Sequence, residues 1–122
     1  MEFFITQNST LPLLKMEFDF DGKSSLEDFN SILETSSILF SMKDVENGNL
    51  KISNKRAGFT NKIFTEPNAK TEYYIYYQFS TFDTKRVGRY EGEFTIISDN
   101  GTVILPIKDK LFINITENYI RT

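Results

Sequence analysis

The sequence predicts an all-β protein, two antiparallel sheets packed face to face, with one short helix around residues 25–34. Three observations carry that prediction. Apolar residues recur at every second position in several short runs, turn-forming pairs such as Asp21-Gly22, Asn47-Gly48 and Asn100-Gly101 separate those runs, and a single segment shows a helical period. A period of two sends successive side chains to opposite faces, which suits a strand with one face in a core and one in water.

In the first run, Leu14, Met16, Phe18 and Phe20 share a face while Lys15, Glu17 and Asp19 take the other, and Asp21-Gly22 ends it. The helical segment follows. Ser24 and Ser25 precede Glu27 and Asp28 at capping-box spacing, and Leu26, Phe29, Ile32 and Leu33 fall on one helical face. Ile38, Phe40 and Met42 form the next inward set, and Asn47-Gly48 turns the chain into a hairpin toward Leu50 and Ile52.

Residues 73–79 read as a central strand, with Tyr73, Ile75, Tyr77 and Phe79 inward and Tyr74, Tyr76 and Gln78 outward. Tyr90, Gly92, Phe94 and Ile96 repeat the pattern, and Asp99-Asn100-Gly101 closes a tight hairpin onto residues 102–105. Pro106 lacks an amide hydrogen and interrupts pairing, and Leu111, Ile113 and Ile115 supply the closing strand. With no βαβ rhythm, internal repeat or linker, residues 1–122 read as one sandwich domain.

Composition narrows the function. Fourteen basic against seventeen acidic residues give a net charge of -3, so no cationic excess is present to neutralise a phosphate backbone, and nucleic acid is not expected as a partner. No run approaches the about 20 apolar residues of a membrane span, and Glu2 ahead of Phe3, Phe4 and Ile5 does not read as a signal peptide. The chain has no Cys, which fits assembly in a reducing cytoplasm and leaves stability to packing and hydrogen bonding. It has no His either, so imidazole bases and His-ligated metals are out of reach.

At Val87-Gly88-Arg89-Tyr90-Glu91-Gly92-Glu93-Phe94 the sequence resembles the G-x-Y-x-x-x-F stretch that opens a late strand in the N-terminal domain of phage baseplate upper proteins. Upstream, Tyr77-Gln78-Phe79 and Phe82-Asp83-Thr84 are similar to that family's Tyr-Gln-Trp strand and Asp-containing turn, with Phe79 in place of the Trp. Downstream, Ser98-Asp99-Asn100-Gly101 through Leu105-Pro106 matches its hairpin and terminal Pro, and residues 111–115 its last strand. In the front half, the stretch from Ile5 through Leu11-Pro12-Leu13 to Gly22, and Phe40-Ser41-Met42-Lys43-Asp44, resemble its opening and Phe-x-Met strands. The resemblance implies an immunoglobulin-like sandwich and a place in a virion. It also implies a structural corner at Gly88 and Tyr90, where a Tyr hydroxyl bonds back to the main chain.

No catalytic constellation emerges from the residue types. Glu91 and Glu93 share a strand face as solvated carboxylates, Asp19, Asp21 and Gly22 make a polar turn and not a calcium loop, and Lys85, Arg86 and Arg89 form a small basic cluster in a loop. The informative excess is aromatic: 12 Phe and 6 Tyr exceed what one small core needs, which directs some of them to contacts with other proteins. Phe3, Phe4, Tyr74, Tyr76 and Phe112 are the protein-interface candidates.

The expectation is therefore a non-enzymatic component of a tailed-bacteriophage virion, in its tail, baseplate, neck or head. It would need no cofactor or metal, and would bind other phage structural proteins, with symmetric self-association open to it. The alternative expectation is a carbohydrate-binding adhesion module that attaches the particle to a bacterial surface, with Tyr74 and Tyr76 as its stacking platform.

Overall fold

The computed structural model describes residues 1–18, 36–62, 72–99 and 101–118, and among them all regular structure is β. The helix expected around residues 25–34 and the turn at Asp21-Gly22 lie outside the described residues. The strands run in chain order as β1 (Glu2–Thr6), β2 (Leu14–Phe18), β3 (Ser37–Asp44), β4 (Leu50–Arg56), β5 (Gly58–Lys62), β6 (Glu72–Tyr77), β7 (Gly88–Ser98), β8 (Gly101–Leu105) and β9 (Leu111–Thr116).

One sheet has six strands in the order β1-β9-β7-β3-β4, with β8 also against β7. Its spine is β7, whose 11 residues pair along one side with β3 and on the other with β9 first and β8 afterwards. The second sheet is β2-β6-β5, antiparallel throughout, with β6 in the middle. The chain changes sheets at Ala57, whose amide donates to the Ile38 carbonyl at 2.8 Å between the end of β4 and the start of β5.

The inward sets read from the sequence fill the space between the sheets. Ile38, Phe40 and Met42 of β3, Tyr90, Phe94 and Ile96 of β7, and Leu111, Ile113 and Ile115 of β9 are buried in the same cluster as Leu14, Met16, Ile75 and Tyr77 of the smaller sheet. Rings cross the gap: Phe40 stacks on Tyr77 with centroids 4.6 Å apart, and Phe79 meets both rings edge-on at 5.9 and 5.1 Å. This packing makes the described residues a β-sandwich.

The arrangement corrects the expectation of purely antiparallel sheets. β1 runs parallel to β9, with Glu2 beside Phe112 and Thr6 beside Thr116. The physical reason is connectivity: hairpin loops force neighbouring strands into opposite directions, but the first and last strands share no loop, so either direction is open to them. Side-chain alternation is the same in both directions and carries no sign of it.

Two local devices set the registers. Gly48, at φ 72°, donates to the Asp44 carbonyl at 2.8 Å and closes the β3–β4 hairpin, since a left-handed residue without Cβ is favoured there. Beyond it the register shifts between Phe40 and Lys43 of β3, and the amide of Asn54, a residue at φ 50°, donates to Ser41 Oγ at 2.9 Å. Ile52 is buried by this register while Leu50 is left exposed.

At Gly92 the core is closely packed. A Cβ there would lie 2.6 Å from Ile113 Cδ1 and 3.0 Å from the Phe40 ring. Gly92→Ala is therefore expected to lower the unfolding free energy by about 1–3 kcal/mol through overpacking, read by urea denaturation. Stability equal to the parent would show that β7 and β9 have slack at this point.

Candidate interaction surfaces

The connection from β6 to β7 forms a corner held by buried polar contacts. Asp83 is only 1% exposed. Its carboxylate accepts from the Tyr77 hydroxyl at 2.8 Å, the Ser80 amide at 2.9 Å and the Lys55 ammonium at 3.1 Å, while its own amide donates to Ser80 Oγ at 3.1 Å. Thr84 donates through Oγ1 to the Ser9 carbonyl at 2.9 Å and accepts from the Asn8 amide at 3.1 Å, which fastens the corner to the β1–β2 connection. The Tyr90 hydroxyl donates to the Arg86 carbonyl at 2.9 Å, and Gly88 sits under the Tyr90 ring.

These contacts set the ionisation of the corner. Burial pushes the Asp83 carboxyl up, but the hydrogen bonds from Ser80, Tyr77 and Lys55 together with the Lys55 charge outweigh it and hold Asp83 below the ordinary carboxylate value. Burial first, then the bond to Asp83 and its charge, push the Tyr77 hydroxyl far up, so it remains a donor. Tyr90 is raised by burial and by the Asp44 charge, with Arg86 opposing. The corner thus presents Phe82 on a fixed frame, 65% exposed, with the Lys51 ammonium 4.4 Å from its ring centroid.

The outer face of the small sheet carries Tyr74 and Tyr76, both half-buried. Tyr76 lies across Gly58, where a Cβ would come within 2.7 Å of its ring, and the Lys15 ammonium stands 5.2 Å from the centroid of Tyr74. Tyr76 also lines a surface groove of about 450 Å³ with Arg56, Ser37 and Leu39, beside the point where the chain changes sheets.

On the outer face of the large sheet, Phe112 is half-buried beneath a polar lattice. The Arg89 guanidinium is 4.0 Å from its ring centroid and bonds Glu2 at 3.0 Å, and Glu2 also accepts from Asn114 at 3.0 Å. Glu91 faces the same way between Lys43 at 3.7 Å and Lys110 at 3.9 Å. Phe4 stands at the margin of this lattice, 62% exposed. Phe3 points the other way and stacks on Phe79 with centroids 6.0 Å apart, so the N-terminal strand docks on its own domain.

The five interface candidates therefore do not form one patch. Phe4 and Phe112 share the outer face of the large sheet, Tyr74 and Tyr76 that of the small sheet, and Phe3 belongs to the core rim. Sequence reading missed a further apolar strip where β7 meets β8: Ile97, Val103 and Ile104 are 44%, 45% and 51% exposed. Its signal was present in the run from Gly101 to Leu105, which has no charged residue.

Among the described residues no group of three or more acidic side chains is placed to hold a metal ion, and no helix is long and apolar enough to cross a membrane. Comparison with protein-family models, curated proteins and solved structures gave no match for this chain.

The corner makes a pH-dependent prediction. Asp83→Asn is expected to lower the unfolding free energy near pH 7 by about 1–3 kcal/mol, because a charge-assisted buried acceptor is lost. With the folded pKa depressed, the carboxylate's contribution is fully present above the unfolded value of about 3.9 and is lost as pH falls through the lower folded value. The gap between parent and variant, followed by urea denaturation, should close on acidification; a gap independent of pH would contradict the assignment.

Proposed function

We propose that this domain is an immunoglobulin-like structural component of a tailed-bacteriophage virion. It is assembled in the host cytoplasm, and acts through contacts with other phage structural proteins without catalysing a reaction. The observation that carries the reading is the outer face of the large sheet, where Phe4, Ile97 and Ile104 stand exposed on a rigid scaffold. Apolar side chains on a rigid sheet are a resource for association, and their cost in water is removed when a neighbour covers them.

The Tyr90 hydroxyl bonded to the Arg86 carbonyl supports the immunoglobulin-like part of the proposal, since a Tyr at this corner with that bond is a hallmark of such sandwiches. The ordered resemblance to phage baseplate upper protein N-terminal domains supports the virion part. A second reading, carbohydrate binding, draws on the Tyr76 ring at the margin of the groove with Arg56 and Ser37.

Purified particles provide the test. The protein should co-purify with intact virions, and Phe4→Ser should lower its incorporation while leaving the isolated domain folded. Presence only in infected-cell extract would contradict assembly. Glycan-array binding that is lost in Tyr76→Ala would transfer the function to adhesion.

A further inference from the structure

Among the described residues the two sheets end in five edge strands: β1, β8 and β4 of the large sheet and β2 and β5 of the small one. Edge strands expose unpaired backbone groups, and proteins commonly shield them with charged side chains, prolines or bulges. Four of the five follow this rule. β1 carries Glu2, β2 carries Lys15 and Glu17, β4 carries Lys51, Lys55 and Arg56, and β5 carries Lys62. β8 alone, Gly101-Thr102-Val103-Ile104-Leu105, carries no charge, no Pro and no register shift.

Among the described residues the strand is also left uncovered: β1 flanks β9 from Phe112 to Thr116 and leaves β8, which continues the same line along β7, without a described neighbour on its outer edge. Val103 and Ile104 are exposed although they point to opposite faces, and Ile97 extends the strip onto β7.

We infer that β8 is a self-pairing edge, at which a second copy of this chain adds its own β8 antiparallel across a two-fold axis. Register and charge together make this edge complementary to a second copy. The two-residue link between Ser98 and Gly101 makes them the hydrogen-bonded closing pair of the hairpin, so alternation turns the backbone groups of Thr102 and Ile104 away from β7. A two-fold axis at Val103 sets Thr102 of each copy opposite Ile104 of the other, which pairs all of those outward amides and carbonyls at once.

The same axis brings Val103 against its counterpart. No like charges meet within the pairing, because none lies between Gly101 and Ile107, and each Asp99 comes toward the Lys108 end of the other β8. The strip is small, well short of the ~800 Å² per partner of a standard interface, so free copies pair weakly and repeated assembly strengthens the contact. This inference stands apart from the virion reading, which co-purification tests.

The absence of Cys from the chain makes the test clean. In sedimentation runs on the full chain from roughly 10 µM to 1 mM, the parent should show a concentration-dependent dimer, and Val103→Lys should weaken it at least about tenfold with its circular dichroism unchanged. Under mild oxidation Val103→Cys should form a disulfide-linked dimer, whereas Val45→Cys, 45% exposed in the β3–β4 turn, should remain monomeric. A parent that stays monomeric throughout, a dimer untouched by Val103→Lys, or equal linking of the two Cys variants would overturn the proposal.

Discussion

The packing of Phe40 against Tyr77 is the contact on which the rest of the structure depends, because it is where the two sheets meet face to face. Phe40 lies on β3 between β4 and β7 and touches Phe79 and Phe94 as well, so the rings of both layers converge on it. Gly92 of β7 leaves room for that ring and for Ile113. In a chain without disulfides, this aromatic packing has to supply much of the cohesion that a small sandwich needs.

Tyr77 extends the same contact outward. Its ring is core, but its hydroxyl reaches Asp83, and Asp83 in turn gathers the Ser80 amide and the Lys55 ammonium. A ring stack between sheets is thereby coupled to the corner that leads into β7, the spine of the large sheet. A buried carboxylate is tolerated there because its hydrogen bonds are made, and among the described residues no buried side-chain nitrogen or oxygen lacks a partner. With the interior closed in this way, the outward residues of both sheets are free of any duty in the core and are available for contacts.

Most of the inward set was legible because alternation is a local property. Ile38, Phe40 and Met42, like Tyr90, Phe94 and Ile96, announce their face by spacing alone, and the turns at Asn47-Gly48 and before Gly101 fixed where the runs reverse. The parallel pairing of β1 with β9 was not legible, since alternation has no direction and no loop joins the two strands. The Asp83 cluster was equally hidden, because Lys55 lies 28 residues upstream and only the fold brings it to the carboxylate.

The surface was readable only in part, for a related reason. Residue type marked Phe112 as a contact candidate, yet Arg89 covers its ring from a different strand, and Phe3 proved to stack inward on Phe79. In contrast Ile97 and Ile104 look like ordinary strand residues and are exposed on the outer face of the large sheet, while Val103, opposite buried Ile96, is exposed because nothing described flanks β8. Facing follows from sequence, whereas cover depends on which strands end up as neighbours.

The central claim is that the sheets are held together through the ring contact between Phe40 and Tyr77. A double-mutant cycle with Phe40→Leu and Tyr77→Leu, measured by urea denaturation, tests it most directly. The account predicts a coupling energy of about 0.5–1.5 kcal/mol between the two sites. Losses that add within about 0.3 kcal/mol would contradict it.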